Sequence, residues 1–469
     1  VTSNAYDAAG HLTQTTQPWG GVTKRSYDAA GRLATITDPA GATTSYSYDA
    51  NGRLTKTQYA DTTTTQTRYD QAGNTIATVD AAGDTATSEF DKANQLIAQV
   101  DAAGRRTTYS YDKAGNQISA TGPDGAKEST TYSPAGQTLT ATSAEGVVTR
   151  YGYNDAGEQT STTDPLGDVS STTFDKLGRV LTERDPNQQG DGPATSTNTY
   201  DNLGRLTATT DAAGNTMRFG YDDAGHRTTV TDARGKTTTS TYNTLGQVTT
   251  KTDPLGRATT TTYDNAGRIT STTDARGVTV DYSYDTAGRL AALKHRGGAE
   301  TISYTYDSLG RRHTMTDATG TTTWAYTATG QVKQIDTPQG TVSYSYDASG
   351  LRTNMTQPQG SISYAYNDAG QLSSLTDWTG GITRTSYNAD DQLTSLTRPN
   401  GVTTAYSYDQ AGRLTSLVSK HGTDVVDQAK YTLDADGNRT SLTTTDGTDH
   451  YTLNQLNQLT GELVELVEG

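Results

Sequence analysis

An aromatic residue followed by Asp, with Gly three positions further on, recurs along the whole chain at a spacing too regular for a conventional globule. Nine copies, starting at Tyr6, Tyr27, Tyr48, Tyr69, Phe90, Tyr111, Tyr132, Tyr153 and Phe174, stand 21 residues apart. Thirteen more follow at Tyr200, Tyr221, Tyr242, Tyr263, Tyr284, Tyr306, Tyr326, Tyr346, Tyr366, Tyr387, Tyr408, Leu433 and Leu453, with spacings of 20 to 26. Twenty-two copies of a short unit mean an array in which each unit buries its apolar side on its neighbours. One continuous repeat body is therefore expected over residues 1–460, with residues 461–469 as an atypical tail: a cap, a junction or a cloning remnant.

A single unit reads as two strands. In Tyr27-Asp28-Ala29-Ala30-Gly31-Arg32 the Asp accepts from amides two residues on, and Gly supplies the positive φ of a tight turn. Leu33 to Thr37 is rich in β-formers, and Asp38-Pro39-Ala40-Gly41 makes a second turn. The chain returns through Ala42 to Tyr48, with Tyr46 and Tyr48 on one face. The second turn recurs at Asp80–Gly83, Asp164–Gly167, Asp232–Gly235, Asp253–Gly256 and Asp317–Gly320. Twenty-two such hairpins predict an all-β antiparallel meander of about 44 strands, on the order of 210 Å long at about 4.8 Å per strand. Open sheets beyond about ten strands accumulate twist and must curl. The expected form is a hollow spiral shell, barrel-like or cocoon-like, roughly 30 to 35 Å across if it makes two turns. A weak helical pattern occurs only at Leu459 to Val467.

Composition fits a wall better than a packed globule. Only 31% of residues are hydrophobic and the net charge is −15, yet 29 Tyr recur on schedule, which a disordered chain has no reason to maintain. Tyr outnumbers Phe 29 to 3, so the repeating face is expected to be half wet, each hydroxyl finding water or a polar partner. With no Cys, disulfides and thiolate metal sites are excluded. No apolar run is long enough for a membrane span, and no basic-then-apolar leader opens the chain. The start within a repeat, at Val1 to Tyr6, suggests a piece of a longer protein. An acidic chain without basic clusters argues against nucleic acid and anionic membranes as partners.

The search for reactive groups ends in structural ones. His11 and His226 occupy the slot after the turn glycine that Arg fills elsewhere, and His295, His313, His421 and His450 lack metal-ligand spacing. Most Asp residues open turns, where bonds to backbone explain them. Asp434-Ala435-Asp436-Gly437-Asn438 has a calcium-loop flavour but lacks its closing Glu, and reads as a variant turn. No catalytic, cofactor-binding or metal residue is expected. The residues that matter are the repeat positions themselves: Tyr27, Asp28, Gly31, Arg32; Tyr48, Asp49, Gly52, Arg53; Tyr200, Asp201, Gly204, Arg205; Tyr263, Asp264, Gly267; and Tyr408, Asp409, Gly412. The recurring Arg is expected to pair with the Asp of a neighbouring turn, the other possibility being a rim that binds acidic sugars. The phase-breaking insertion Asn187 to Pro193 is expected to protrude.

The string Tyr-Asp-x-x-Gly-Arg-Leu-Thr stands at Tyr48–Thr55, Tyr200–Thr207 and Tyr408–Thr415, and it closely resembles the Rhs/YD-repeat family. That family includes bacterial Rhs polymorphic toxins, the C components of insecticidal Tc toxin complexes, and animal teneurins. The resemblance implies a secreted or cell-surface shell without catalysis that encloses a polypeptide toxin and shields it until delivery. Its partners would be that cargo or shell-closing chains, and exposed terminal strands would permit end-to-end self-association. An alternative is an extracellular carbohydrate-binding or adhesion array that meets glycans. A second alternative is a fragment of a self-cleaving toxin precursor. The family's cleavage junction resembles Asp-Pro-x-Gly-Leu, but Asp168 and Arg257 stand where that Leu would follow Asp164-Pro165-Leu166-Gly167 and Asp253-Pro254-Leu255-Gly256. Both strings read as ordinary turns.

Overall fold

The computed structural model describes residues 1–188, 195–298 and 300–466. Among them are 44 strands, one short 3-10 turn at Pro186–Gln188 and no α-helix, and strands pair antiparallel with their neighbours in the chain. The chain is thus an all-β meander in a single sheet.

The turns form as their residues dictate. Gly31 N–H donates to the Asp28 carbonyl at 2.9 Å and Asp28 N–H to the Arg32 carbonyl at 2.8 Å, with Gly31 at φ +77°. The Asp28 carboxylate caps the loop by accepting from the amides of Ala30 and Arg32, both at 2.9 Å. The second turn repeats the backbone pattern, Gly41 donating to Asp38 at 3.0 Å and Asp38 to Ala42 at 2.9 Å. In this unit the pentad hairpin is bulged and the second-turn hairpin is not: Tyr27 faces Leu33 while Ser26 faces Thr35, leaving Ala34 over, whereas Thr35, Ile36 and Thr37 face Ser45, Thr44 and Thr43 in step. The two Asp-Pro-Leu-Gly strings are turns of the same kind, closed by Gly167 and Gly256 amides on Asp164 and Asp253.

Two local expectations are corrected. Asp317–Gly320 is not another copy of the Asp38–Gly41 turn. Five residues separate the hydroxyl-bonded pair Thr37 and Thr43, four separate Thr316 and Thr321, and Asp317 pairs directly with Gly320. That missing residue is why the spacing falls from 21 to 20 at Tyr306 to Tyr366. The weak helical pattern near the C-terminus is a strand, Leu459–Leu466, paired with Gly447–Leu453. Alternation of Leu459, Gly461, Leu463 and Glu465 with their neighbours satisfies a ladder as well as it suggests a helix, and the available edge decides. Residues 467–469, and residues 189–193 of the insertion, lie outside the described residues.

Burial is that of a sheet with two wet faces. The buried apolar residues are Ala77, Ala98, Ala212 and Ile362, and no large side chain among the described residues is fully buried. The pentad aromatics are half-buried, except Tyr6 at 60% exposure. Alternate positions turn hydroxyls to solvent in cross-strand pairs such as Ser26 with Thr35 and Thr131 with Thr140, each at 2.6 Å.

The chain divides into two compact units. The first comprises Val1–Gly104, Tyr221–Thr228 and Thr237–Ser361; the second comprises Arg105–Gly220, Thr229–Lys236 and Ile362–Gly469. Within the first, Ala103 N–H donates to Ser349 Oγ at 3.0 Å across 246 residues. Within the second, Ser143 Oγ–H and Glu145 N–H donate to the Asp390 carboxylate at 2.7 and 2.9 Å, and Ala389 N–H donates to Glu145 Oε1 at 2.9 Å. Asn187 N–H also reaches Asp436 Oδ1 at 3.0 Å, across 249 residues. The contacts of Ala103, Ser143 and Glu145 join a second turn of an early stretch to a pentad turn of a late one, and Asn187, at the start of the insertion, meets a pentad turn in the same way.

Candidate functional site

The pentad edge is where sequence signal and structure converge, and its chemistry is a chain of links from each turn to the next. Arg32 holds its own Asp28 through Nε at 2.8 Å, and its Nη1 crosses to the Asp49 carbonyl at 3.1 Å. The guanidinium lies 4.8 Å from the Tyr48 ring centroid. Tyr48 closes the loop by donating its hydroxyl to the Leu33 carbonyl at 2.8 Å. The next copy is the same: Arg53 binds Asp49 at 2.7 Å and the Asp70 carbonyl at 2.8 Å, stacks 4.7 Å from Tyr69, and Tyr69 donates to Leu54 at 2.9 Å. Aspartate, guanidinium, aromatic ring and hydroxyl thus make one stitch in copies that carry Arg, which is why those residue types recur together.

Later copies keep the parts. Tyr200 donates to Val180, Tyr263 to Val248 and Tyr408 to Leu393 at 2.8, 2.8 and 3.0 Å. Arg205 binds Asp201, Arg268 binds Asp264 and Arg413 binds Asp409, each at 2.7 Å. Arg413 also reaches the Asp434 carbonyl at 3.0 Å, where the next aromatic slot is Leu433. The expected pairing with a neighbouring Asp is corrected: the carboxylate belongs to the Arg's own turn, four residues back. The neighbour supplies a carbonyl and a ring. The constant separation of 16 residues between Arg32 and Tyr48, and between Arg53 and Tyr69, carries that signal in the sequence.

Substitutes in the Arg slot do parts of the same job. His11 Nδ1 lies 3.0 Å from Asp7 and its ring stacks 4.7 Å from Tyr27; His226 repeats this with Asp222 and Tyr242 at 3.0 and 4.8 Å. Gln247 Nε2 donates to the Gly267 carbonyl at 2.7 Å. The amides of Arg32, Arg53 and Arg205, with the guanidiniums behind them, hold the carboxyls of Asp28, Asp49 and Asp201 below the usual carboxylate range. Asp434 caps its own turn, accepting from Asn438 N–H at 2.8 Å, as the variant-turn reading expects. Among the described residues no three His, Asp, Glu or Cys converge on a point.

The RHS Repeat family signature matches residues 6–43, 27–64, 48–85, 90–127, 132–169, 153–189, 346–382 and 387–424, together more than half of the chain. The Teneurin YD-shell signature matches residues 215–344. Among solved structures, the TcdB2-TccC3 crystal structure superimposes with a TM-score of 0.80 at 17% identity, covering 98% of this chain and 31% of that one. The TcdB2-TccC3-TEV structure gives 0.73 at 15% identity, covering 98% and 34%. The Photorhabdus luminescens Tc holotoxin pore gives 0.56 at 17%, covering 100% and 29%. This chain therefore spans about a third of the length of the structures it matches, and the likeness establishes the fold. A search of curated proteins finds no match.

Proposed function

Because the chain belongs to the RHS Repeat family, we propose that it is a stretch of shell wall, wound from the meander, that encloses a polypeptide cargo and shields it before delivery outside the producing cell. The observation that carries this reading is burial. A 44-strand sheet whose only buried apolar side chains are three alanines and Ile362 among the described residues has no core to serve. What such a sheet offers is area and a lumen, and its action is steric. Seams that join stretches 244 to 249 residues apart in each unit suit successive passes of a winding. The toxin-complex neighbours make a protein cargo the natural content. Nothing in the matches favours the carbohydrate-binding alternative.

The test is protease protection of a domain fused downstream of residue 469, compared with the same domain free. The proposal expects at least tenfold slower digestion of the fused domain. Equal rates would overturn it.

A further inference from the structure

We propose that Trp19 and Arg268 form a releasable latch that holds the early stretch of the first unit against its late stretch. Trp19 occupies the second turn Gln17-Pro18-Trp19-Gly20, closed by Gly20 N–H on the Gln17 carbonyl at 2.9 Å. Its indole reaches out of that turn onto two pentad turns of the late stretch. The Arg268 guanidinium sits 4.6 Å from the Trp19 ring and 4.4 Å from the Tyr284 ring, a cation between two aromatic faces. The indole also covers Gly288, where an added Cβ would lie 2.9 Å from Trp19 Cζ2.

The sequence makes room for this contact. Gly21 is buried and is not in the left-handed region, so its backbone does not require glycine. A Cβ there would stand 2.5 Å from Trp19 Nε1 and 3.1 Å from the Thr286 carbonyl. The same position in other second turns carries Ala42, Asp84, Val147 or Asp168. Gly21 is glycine because the indole and the facing backbone occupy the space. Trp378, the second-turn tryptophan of the other unit, is 51% exposed.

The latch is built to let go. Trp19 Nε1 and Arg268 Nη1 are buried without a hydrogen-bond partner. In the stitches of Arg32 and Arg53 the same Nη1 donates to the carbonyl of the next turn's Asp. Arg268 keeps its Asp264 bond and its Tyr284 stack, and its Nη1 lies beside Gly288 under the indole without a partner. The latched arrangement buries one guanidinium N–H unbonded, and withdrawal of Trp19 opens it to water or to the Asp285 carbonyl, the kind of partner that Arg32 and Arg53 use. Two arrangements of one side chain therefore compete, the condition for a two-state element. Parting of this seam leaves the repeat-to-repeat stitch complete.

The test uses the full chain with Trp324→Phe and Trp378→Phe, so that Trp19 alone emits. Acrylamide should quench it at least twofold less than it quenches Trp378 in the matching Trp19→Phe, Trp324→Phe chain, and Gly21→Ala should abolish that difference. Hydrogen exchange of the turns at 264–268 and 285–289 should rise several-fold in Trp19→Ala. It should stay near the parent in Trp19→Phe, because the indole N–H has no bond to lose. Circular dichroism separates release from unfolding: the strand signal is retained in all variants. Quenching of Trp19 equal to that of Trp378, or exchange unchanged by Trp19→Ala, would overturn the latch.

Discussion

The meander has two turn edges, and they are made from one hairpin yet behave differently. Asp28–Gly31 on the pentad edge and Asp38–Gly41 on the other share backbone bonds, a capping carboxylate and a left-handed glycine. Arg53 and Arg257 show the difference. Both follow the turn glycine and both hold their own Asp, at 2.7 and 2.6 Å. Arg53 goes on to a carbonyl and a ring of the next turn and is 27% exposed at its side chain, whereas Arg257 is 63% exposed. An added Cβ at Gly41, Gly83, Gly167 or Gly256 would meet nothing within 4 Å, while at Gly52, Gly204 or Gly437 it would meet the Arg of the preceding turn. The pentad edge ties each repeat to the next. On the second-turn edge the turns of Asp38, Asp80, Asp164 and Asp253 meet no neighbour at their glycines, while the shortened turns touch in series, Pro338 on Gly320 and Pro358 on Gly340. Second turns such as Asp101–Gly104 and Ser143–Gly146 instead meet a distant pentad turn in each unit's seam.

The largest expected effect strikes both edges at once. Asp28, Asp49 and Asp201 on one edge and Asp232 and Asp253 on the other titrate below their ordinary value of 3.8 when folded. A depressed folded pKa gives stability that is present above the unfolded pKa and lost as pH falls through the folded one. Circular dichroism and melting temperature should therefore fall steeply below about pH 4. A melting temperature unchanged at pH 2.5 would contradict the carboxylate caps.

The next effects separate the edges. Arg53→Ala should cost about 1–2 kcal/mol in denaturant unfolding, from the lost ring contact and carbonyl bond, whereas Arg257→Ala should cost less than about 0.5 kcal/mol. Equal costs would erase the distinction. Tyr69→Phe leaves the Leu54 carbonyl without its hydroxyl donor and should cost about 0.5–1.5 kcal/mol by the same measurement. The smallest effect is a gain. Thr62, at φ +71°, holds the left-handed place that glycine takes in other turns. Thr62→Gly relieves a β-branched residue there and should stabilise by about 0.5–1 kcal/mol, the relief exceeding the added chain entropy.

What the sequence made legible follows from which contacts are periodic. Strands, turns and the meander come from spacing alone, since Asp, Gly and alternating β-formers act within a few residues. The substitution of His11 and His226 for Arg was legible for the same reason, and both stack and pair as the slot requires. That Arg32 pairs with the carboxylate of its own turn was not, because a spacing repeated every 21 residues does not say which of two turns supplies the carboxylate and which the carbonyl. The single-copy contacts stayed hidden: Trp19 on Arg268, and Glu145 with Asp390, join residues with no shared period. At the C-terminus, Leu459–Leu466 carried a pattern that either a helix or a strand could use, and the free edge of Gly447–Leu453 settled it.

The chain has no cysteine of its own, so an introduced pair can report the seam directly. Ala103→Cys with Ser349→Cys places thiols on an early second turn and the late pentad turn that it meets. If distant stretches are joined turn edge to turn edge, and not through a packed core, this pair will form an intramolecular disulfide under mild oxidation while Ala103→Cys with Ala328→Cys will not. Failure of the first pair to close, or equal closure of both, would contradict the account.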